Sequence, residues 1–190
     1  MKTMMMGVLA LTTFIFAACN QTGSKAPEKQ TTVAAAQTDL PQQSAGATAM
    51  KTVVASYLEI KNGLAADQPE KAANAGTAMA AALAAVDPSS FTPEQTKIYK
   101  ENEEDLKEHA THIGKNGGNM EHQREHFVQM SEDVYTLVKV FGGGQPLYYD
   151  HCAMYDNNKG ASWLSETKEI SNPYMGAKMP GCGSVKEVIQ

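Results

Sequence analysis

From residue 50 onward, apolar positions recur with a helical period. The stretch MKTVVASYLEIKNGLAA, residues 50–66, places Val53, Val54, Tyr57, Leu58, Ile60 and Leu64 close to a 3.6-residue repeat and predicts an amphipathic helix. In AADQPEKAANAGTAMAAALAAV, Asp67 is expected to cap a second helix just before Pro69, an accepted early helical position. Its alanines favour helix, and Met79, Leu83 and Val86 are expected to face the core. A third helix restarts at Thr92-Pro93, with Glu and Gln in its first turn and Ile98, Leu106 and Ile113 on its buried side. Gly117-Gly118 breaks it. A fourth starts at Asn119, carries the stripe Phe127, Met130, Val134, Leu137, Val138 and Phe141, and stops at the glycines 142–144.

After Gly144 the periodicity ends. Turn signals recur at DNNKG, SNP and MGAKMPGCG, and the apolar residues are scattered. The fold expected is mainly α: an antiparallel four-helix bundle with an irregular C-terminal cap containing short strands or a short helix, the latter near Trp163-Leu164. The cap is expected to pack through Tyr148, Trp163, Leu164 and Tyr174.

The N-terminal third has a different texture. Residues 1–18 comprise a positive Lys2 and an uncharged apolar run ending in FAA immediately before Cys19. This is the pattern of a secretory signal, too short and wrongly flanked for a spanning helix of about 20 apolar residues. Small residues followed by Cys resemble a bacterial lipobox, so Cys19 is the expected lipidation site and the chain is expected to be anchored to a membrane of the cell envelope, facing the periplasm. Phe16 departs from the usual leucine of that motif. Residues 20–47 hold almost no large apolar side chain and cannot offset their ordering entropy, so 19–47 reads as a flexible tether and 48–190 as one domain.

Without residues 1–18 the chain has 15 Lys+Arg against 21 Asp+Glu, a formal charge of −6. That balance excludes a nucleic-acid partner, which requires a basic face. An oxidising envelope also disfavours free thiols at Cys152 and Cys182.

Candidate chemistry lies in two places. His122 and His126 stand four apart in HQREH, on one helical face, and His109 and His112 stand three apart in HATH on the preceding helix. The Gly-Gly turn between them brings both pairs to one end of the bundle. The second place is the C-terminal block, with His151, Cys152, Met154, Met179 and Cys182. Sulfur ligands select Cu(I) and imidazole suits copper and zinc, so this donor set points to copper ahead of zinc. The competing reading is a Cys152–Cys182 disulfide, which spacing alone favours. The sequence contains no nucleophile elbow, P-loop or dinucleotide-binding glycine turn. HQREH resembles the inverted H-x-x-E-H zinc motif, but no third ligand or cleft is evident from the sequence, and no catalytic role is expected.

Two blocks resemble an uncharacterised bacterial domain family. The first is IGKNGGNMEHQREHFVQMSEDVYTLVKVFG; the second is HCAMYDNNKGASWLSETKEISNPYMGAKMPGCG. The resemblance covers about residues 50–188, with Ala153 and Pro180-Gly181 as departures. Members occur as lipoproteins and fused to the C-terminal end of periplasmic adaptor subunits of copper/silver efflux pumps. The resemblance implies metal handling, with an efflux adaptor or another copper protein as partner. It raises copper above the disulfide-only reading. The ligand set expected is Cys152, Met154, Met179 and Cys182 with His122 and His126, joined by His112; His109 and His151 are weaker candidates.

Overall fold

A computed structural model of the protein describes residues 45–190. The expected signal segment, the expected lipidation site Cys19 and the expected tether up to residue 44 lie outside the described residues. Four long helices are present: α1 (Ala45–Ala65), α2 (Pro69–Ala84), α3 (Pro93–Lys115) and α4 (Met120–Phe141). They are followed by β1 (Leu147–Cys152), β2 (Ala161–Ser165) and β3 (Ser184–Ile189), which form an antiparallel sheet in the order β2-β1-β3. α1 packs on α2, α2 on α3 and α3 on α4; α4 also packs on β2. Among the described residues no helix is long and apolar enough to cross a membrane.

The helix boundaries follow local chemistry. Thr92 and Gln95 form a reciprocal capping box at the start of α3, and Asn119 Oδ1 accepts the His122 backbone N–H at the start of α4. Asp67 is not the cap of α2. The N-cap is Gln68, without a side-chain hydrogen bond, and the Asp67 carboxylate is committed elsewhere, to Arg124 and the Ala177 N–H. α2 lies tightly against α3: a Cβ on Gly76 would come within 2.9 Å of Ala110 O and Gly114 N. Alanine-rich α2 therefore seats directly on the turn of α3 that carries His109 and His112.

The cap is more ordered than its turn-rich sequence implies. Trp163 and Leu164 lie in strand β2, not in a helix, and both are fully buried. Tyr148 is only half-buried; Leu147 takes the inward position. An irregularity in the β1–β3 register between Tyr149 and Asp150 resets the alternation, so Leu147, Asp150 and Cys152 all face inward. A chain of buried hydroxyls joins cap to helices. Tyr57 Oη accepts the Leu164 N–H at 2.9 Å and meets Ser131 Oγ, while Tyr174 Oη donates to Ser162 O at 2.6 Å.

Asp150 is fully buried, and neither carboxylate oxygen has a hydrogen-bond partner among the described residues. Burial pushes its carboxyl up to about 7, against the opposing pull of the Lys61 ammonium. A folded-state value above the unfolded one gives a contribution that is complete at low pH and lost as pH rises through 7. Asp150→Asn is therefore expected to melt higher than wild type at pH 8, with the difference closing toward pH 4 in thermal scans.

Candidate metal centre

The C-terminal turn of α3 and the first turns of α4 are held in fixed relation by the residues between and beside the histidines. Asn116 Nδ2 donates to His112 O, and the Asn116–Asn119 turn closes with an Asn119 N–H bond to Asn116 O at 3.0 Å. Gln123, fully buried, donates from Nε2 to both Ile113 O and Pro69 O. The residue after His112 is thus bonded to the residue after His122, which locks the two histidine-bearing turns together.

The ligand atoms of His112, His122 and His126 lie within 4.8 Å of one another. The His112 and His126 rings stack at 4.3 Å, and His122 meets His126 edge-on at 4.5 Å. Zn–N bonds of about 2.0–2.1 Å put tetrahedral nitrogens roughly 3.3 Å apart, so modest side-chain rotation would close this set on one ion. His109 Nδ1 lies 3.0 Å from His126 Nδ1. Glu125 Oε2 lies 3.5 Å from His122 Nδ1, and Glu108 Oε1 lies 3.9 Å from His112 Nε2.

Burial, together with the neighbouring His112, His122 and His109, lowers the His126 imidazole from 6.5 to about 4. His109 is also lowered, chiefly by burial. His126 is therefore neutral at neutral pH and offers a lone pair without displacing a proton. A lowered folded value means that its contribution to stability is present above pH 6.5 and lost as pH falls toward 4. An NMR titration of the metal-free protein is expected to place the His126 midpoint near pH 4.

The expected site divides in two. Cys152 and Cys182 are joined in a disulfide, with Cα atoms 5.6 Å apart, and are not thiolate ligands in this state. Among the described residues, the three histidines are the only group of three or more His, Cys, Asp or Glu ligand atoms gathered this closely. Met154 is exposed and Met179 half-buried, both in the cap. His151 is turned to Ser162, with Nδ1 2.9 Å from Oγ.

Helical phase explains the division. Arg124, midway between His122 and His126, bonds Pro173 O at 2.8 Å, so the cap loop lies on the Arg124 side of α4. A displacement of two residues turns about 200° around a helix, which carries both histidines away from the cap and toward α3. His112 brings a third imidazole from α3 to the two of HQREH. A cleft of about 740 Å³ does exist, but between α4 and the cap, lined by Glu121, Arg124, Tyr155, Tyr174 and Met175 among others and by none of the histidines.

The role of Arg124 has no local signal in the sequence. The guanidinium also bonds Leu64 O at 2.9 Å and Asp67 Oδ1 at 2.6 Å, tying α4 to the end of α1. The Ala177 N–H and Arg124 hold the Asp67 carboxyl below its usual range. Gly176, at φ +52, completes this knot: a Cβ there would fall 2.2 Å from Asp67 Oδ1. Asn172 accepts the Tyr174 and Met175 N–H groups and donates to Cys182 O. The NPYMG segment is thus a structural clasp. Arg124→Ala is expected to cost about 2–4 kcal/mol in chemical denaturation while leaving metal affinity unchanged.

No curated protein and no solved structure matches the chain. The model of one family, described as "Protein of unknown function (DUF3347)", does match, over residues 53–145. That segment ends just before β1, so it holds most of α1, all of α2–α4 and the whole imidazole cluster, while the disulfide-bearing cap lies beyond it. Over residues 53–145 this chain is similar to that uncharacterised family.

Proposed function

We propose that the protein binds a single copper ion, in its cupric form, through His112, His122 and His126. The observation that carries this reading is the convergence of three half-buried imidazoles from two helices to within 4.8 Å. Imidazole suits both copper and zinc, and the affinity order of divalent ions places Cu(II) above Zn(II) for such donors. With Cys152 and Cys182 paired, the thiolate argument for Cu(I) does not apply in this state. α1–α4 are taken to form an antiparallel bundle with the site at the α3–α4 turn. The N-terminal sequence pattern supports a lipid anchor at Cys19 and a periplasm-facing domain, and the family resemblance supports buffering of copper or its handover to an efflux system.

Binding is favoured over catalysis. Glu125 Oε2 lies 3.5 Å from His122 Nδ1, so this carboxylate is engaged with a ligand ring. A base for metal-bound water has to face that water. A second reading, a partner-docking module without metal, draws on the Cys152–Cys182 disulfide as a staple and on exposed Met154. Native mass spectrometry of the chain with equimolar Cu(II) and Zn(II) separates the two. One copper per chain, absent after His112→Gln, His122→Gln and His126→Gln together, is the expected result. No copper adduct above that variant would leave the docking reading.

A further inference from the structure

A fourth imidazole borders the cluster and engages one particular atom. His109 Nδ1 is 3.0 Å from His126 Nδ1, close enough for a hydrogen bond between the two rings. In a pair of neutral imidazoles joined this way, one Nδ1 carries the proton and the other accepts it. His126 Nδ1 is thereby occupied, and Nε2 is the atom left to meet His112 and His122. We propose that His126 donates its Nδ1–H to His109 Nδ1, which leaves His126 Nε2 bare for the metal and makes His109 a positioning residue rather than a ligand. This rests on the metal-binding reading of the three-imidazole cluster.

The surroundings agree with that assignment. His109 is not a member of the group whose ligand atoms converge, and its Nδ1 is already spent on His126. Ligating histidines ordinarily donate their other ring N–H to an acceptor, which fixes tautomer and ring orientation. At His122 a carboxylate oxygen, Glu125 Oε2, lies 3.5 Å from Nδ1. An acceptor is also needed at His126, because a proton on Nε2 would cap the ligand atom. The position of His109 is set from behind: α2 presses on the next residue of α3, where a Gly76 Cβ would lie 2.9 Å from Ala110 O.

The test uses the full chain with ¹⁵N-labelled histidine, first without metal. Long-range ¹H–¹⁵N correlation at pH 7.5 is expected to show His126 protonated at Nδ1 and bare at Nε2. His109→Ala is expected to move His126 toward the Nε2–H form and to lower Cu(II) affinity about 10–100-fold at unchanged stoichiometry. His109→Gln, whose amide oxygen accepts, is expected to restore most of both. An Nε2–H His126 in the wild type overturns the assignment, as does a His109→Ala protein with unaltered tautomer and affinity. A wild type with the expected tautomer but no bound copper supports the hydrogen-bond assignment and overturns only the metal reading.

Discussion

His126→Ala is expected to weaken Cu(II) binding by about 100-fold or more, since losing a ligand costs at least as much as losing the partner that orients one. His126 stands at the centre of the cluster: its ring contacts His112, His122 and His109. It is also the histidine whose neutrality is most strongly enforced, at about 4. Metal cannot bind a protonated imidazole, so a ligand already free of its proton at pH 6 is worth more than one that must lose it. Competition titration against a chelator of known affinity measures the loss. His151→Ala is the control: its ring is held by Ser162 in the sheet, and affinity is expected to stay within about threefold.

The second large effect concerns the cap. Cys152→Ala with Cys182→Ala is expected to lower stability by about 3–4 kcal/mol on the chain-entropy model, because the bond closes a loop with a sequence separation of 30. Cys152 is fully buried in β1, and Cys182 is held by the Asn172 bond to its carbonyl. The chain has one tryptophan, Trp163, buried in β2, so its fluorescence reports the cap while far-ultraviolet circular dichroism reports the helices. Urea unfolding is expected to show the fluorescence midpoint falling in the double variant. An unchanged midpoint would mean that the hydroxyl chain through Tyr57, Ser131 and Tyr174 holds the cap without the disulfide.

The helices were legible because their apolar stripes coincide with strong stop signals. Gly117-Gly118 and Thr92-Pro93 mark the breaks, and Asn119 and Thr92 act as the caps that their positions imply. The meeting of the two histidine pairs followed from the same logic, since a four-residue turn leaves little freedom between His112 and His122. The cap resisted reading for a physical reason. Its strands are five or six residues long, and the register irregularity before Asp150 breaks the alternation that would have revealed β1. Trp163-Leu164 gave no period at all, being buried consecutively with Ser165. Two attachments were hidden for another reason. Asp67 resembles a helix cap, and Arg124 resembles a solvated helix charge, yet the two meet across 57 residues. Nothing local indicates that contact. That Cys152 and Cys182 pair with each other while the imidazoles gather toward α3 was hidden in the same way, because residue counting does not reveal which side of α4 the cap covers.

Imidazoles from α3 and α4, and not the cap sulfurs, are proposed to hold the metal. The most direct test is a Cu(II) titration of the full chain with the disulfide intact, against a competing chelator. One equivalent is expected to bind, with the same affinity in Cys152→Ser with Cys182→Ser, and none when His112, His122 and His126 are all Gln. Binding that survives in the triple-histidine variant, or that emerges only after the cysteines are reduced, would contradict this assignment.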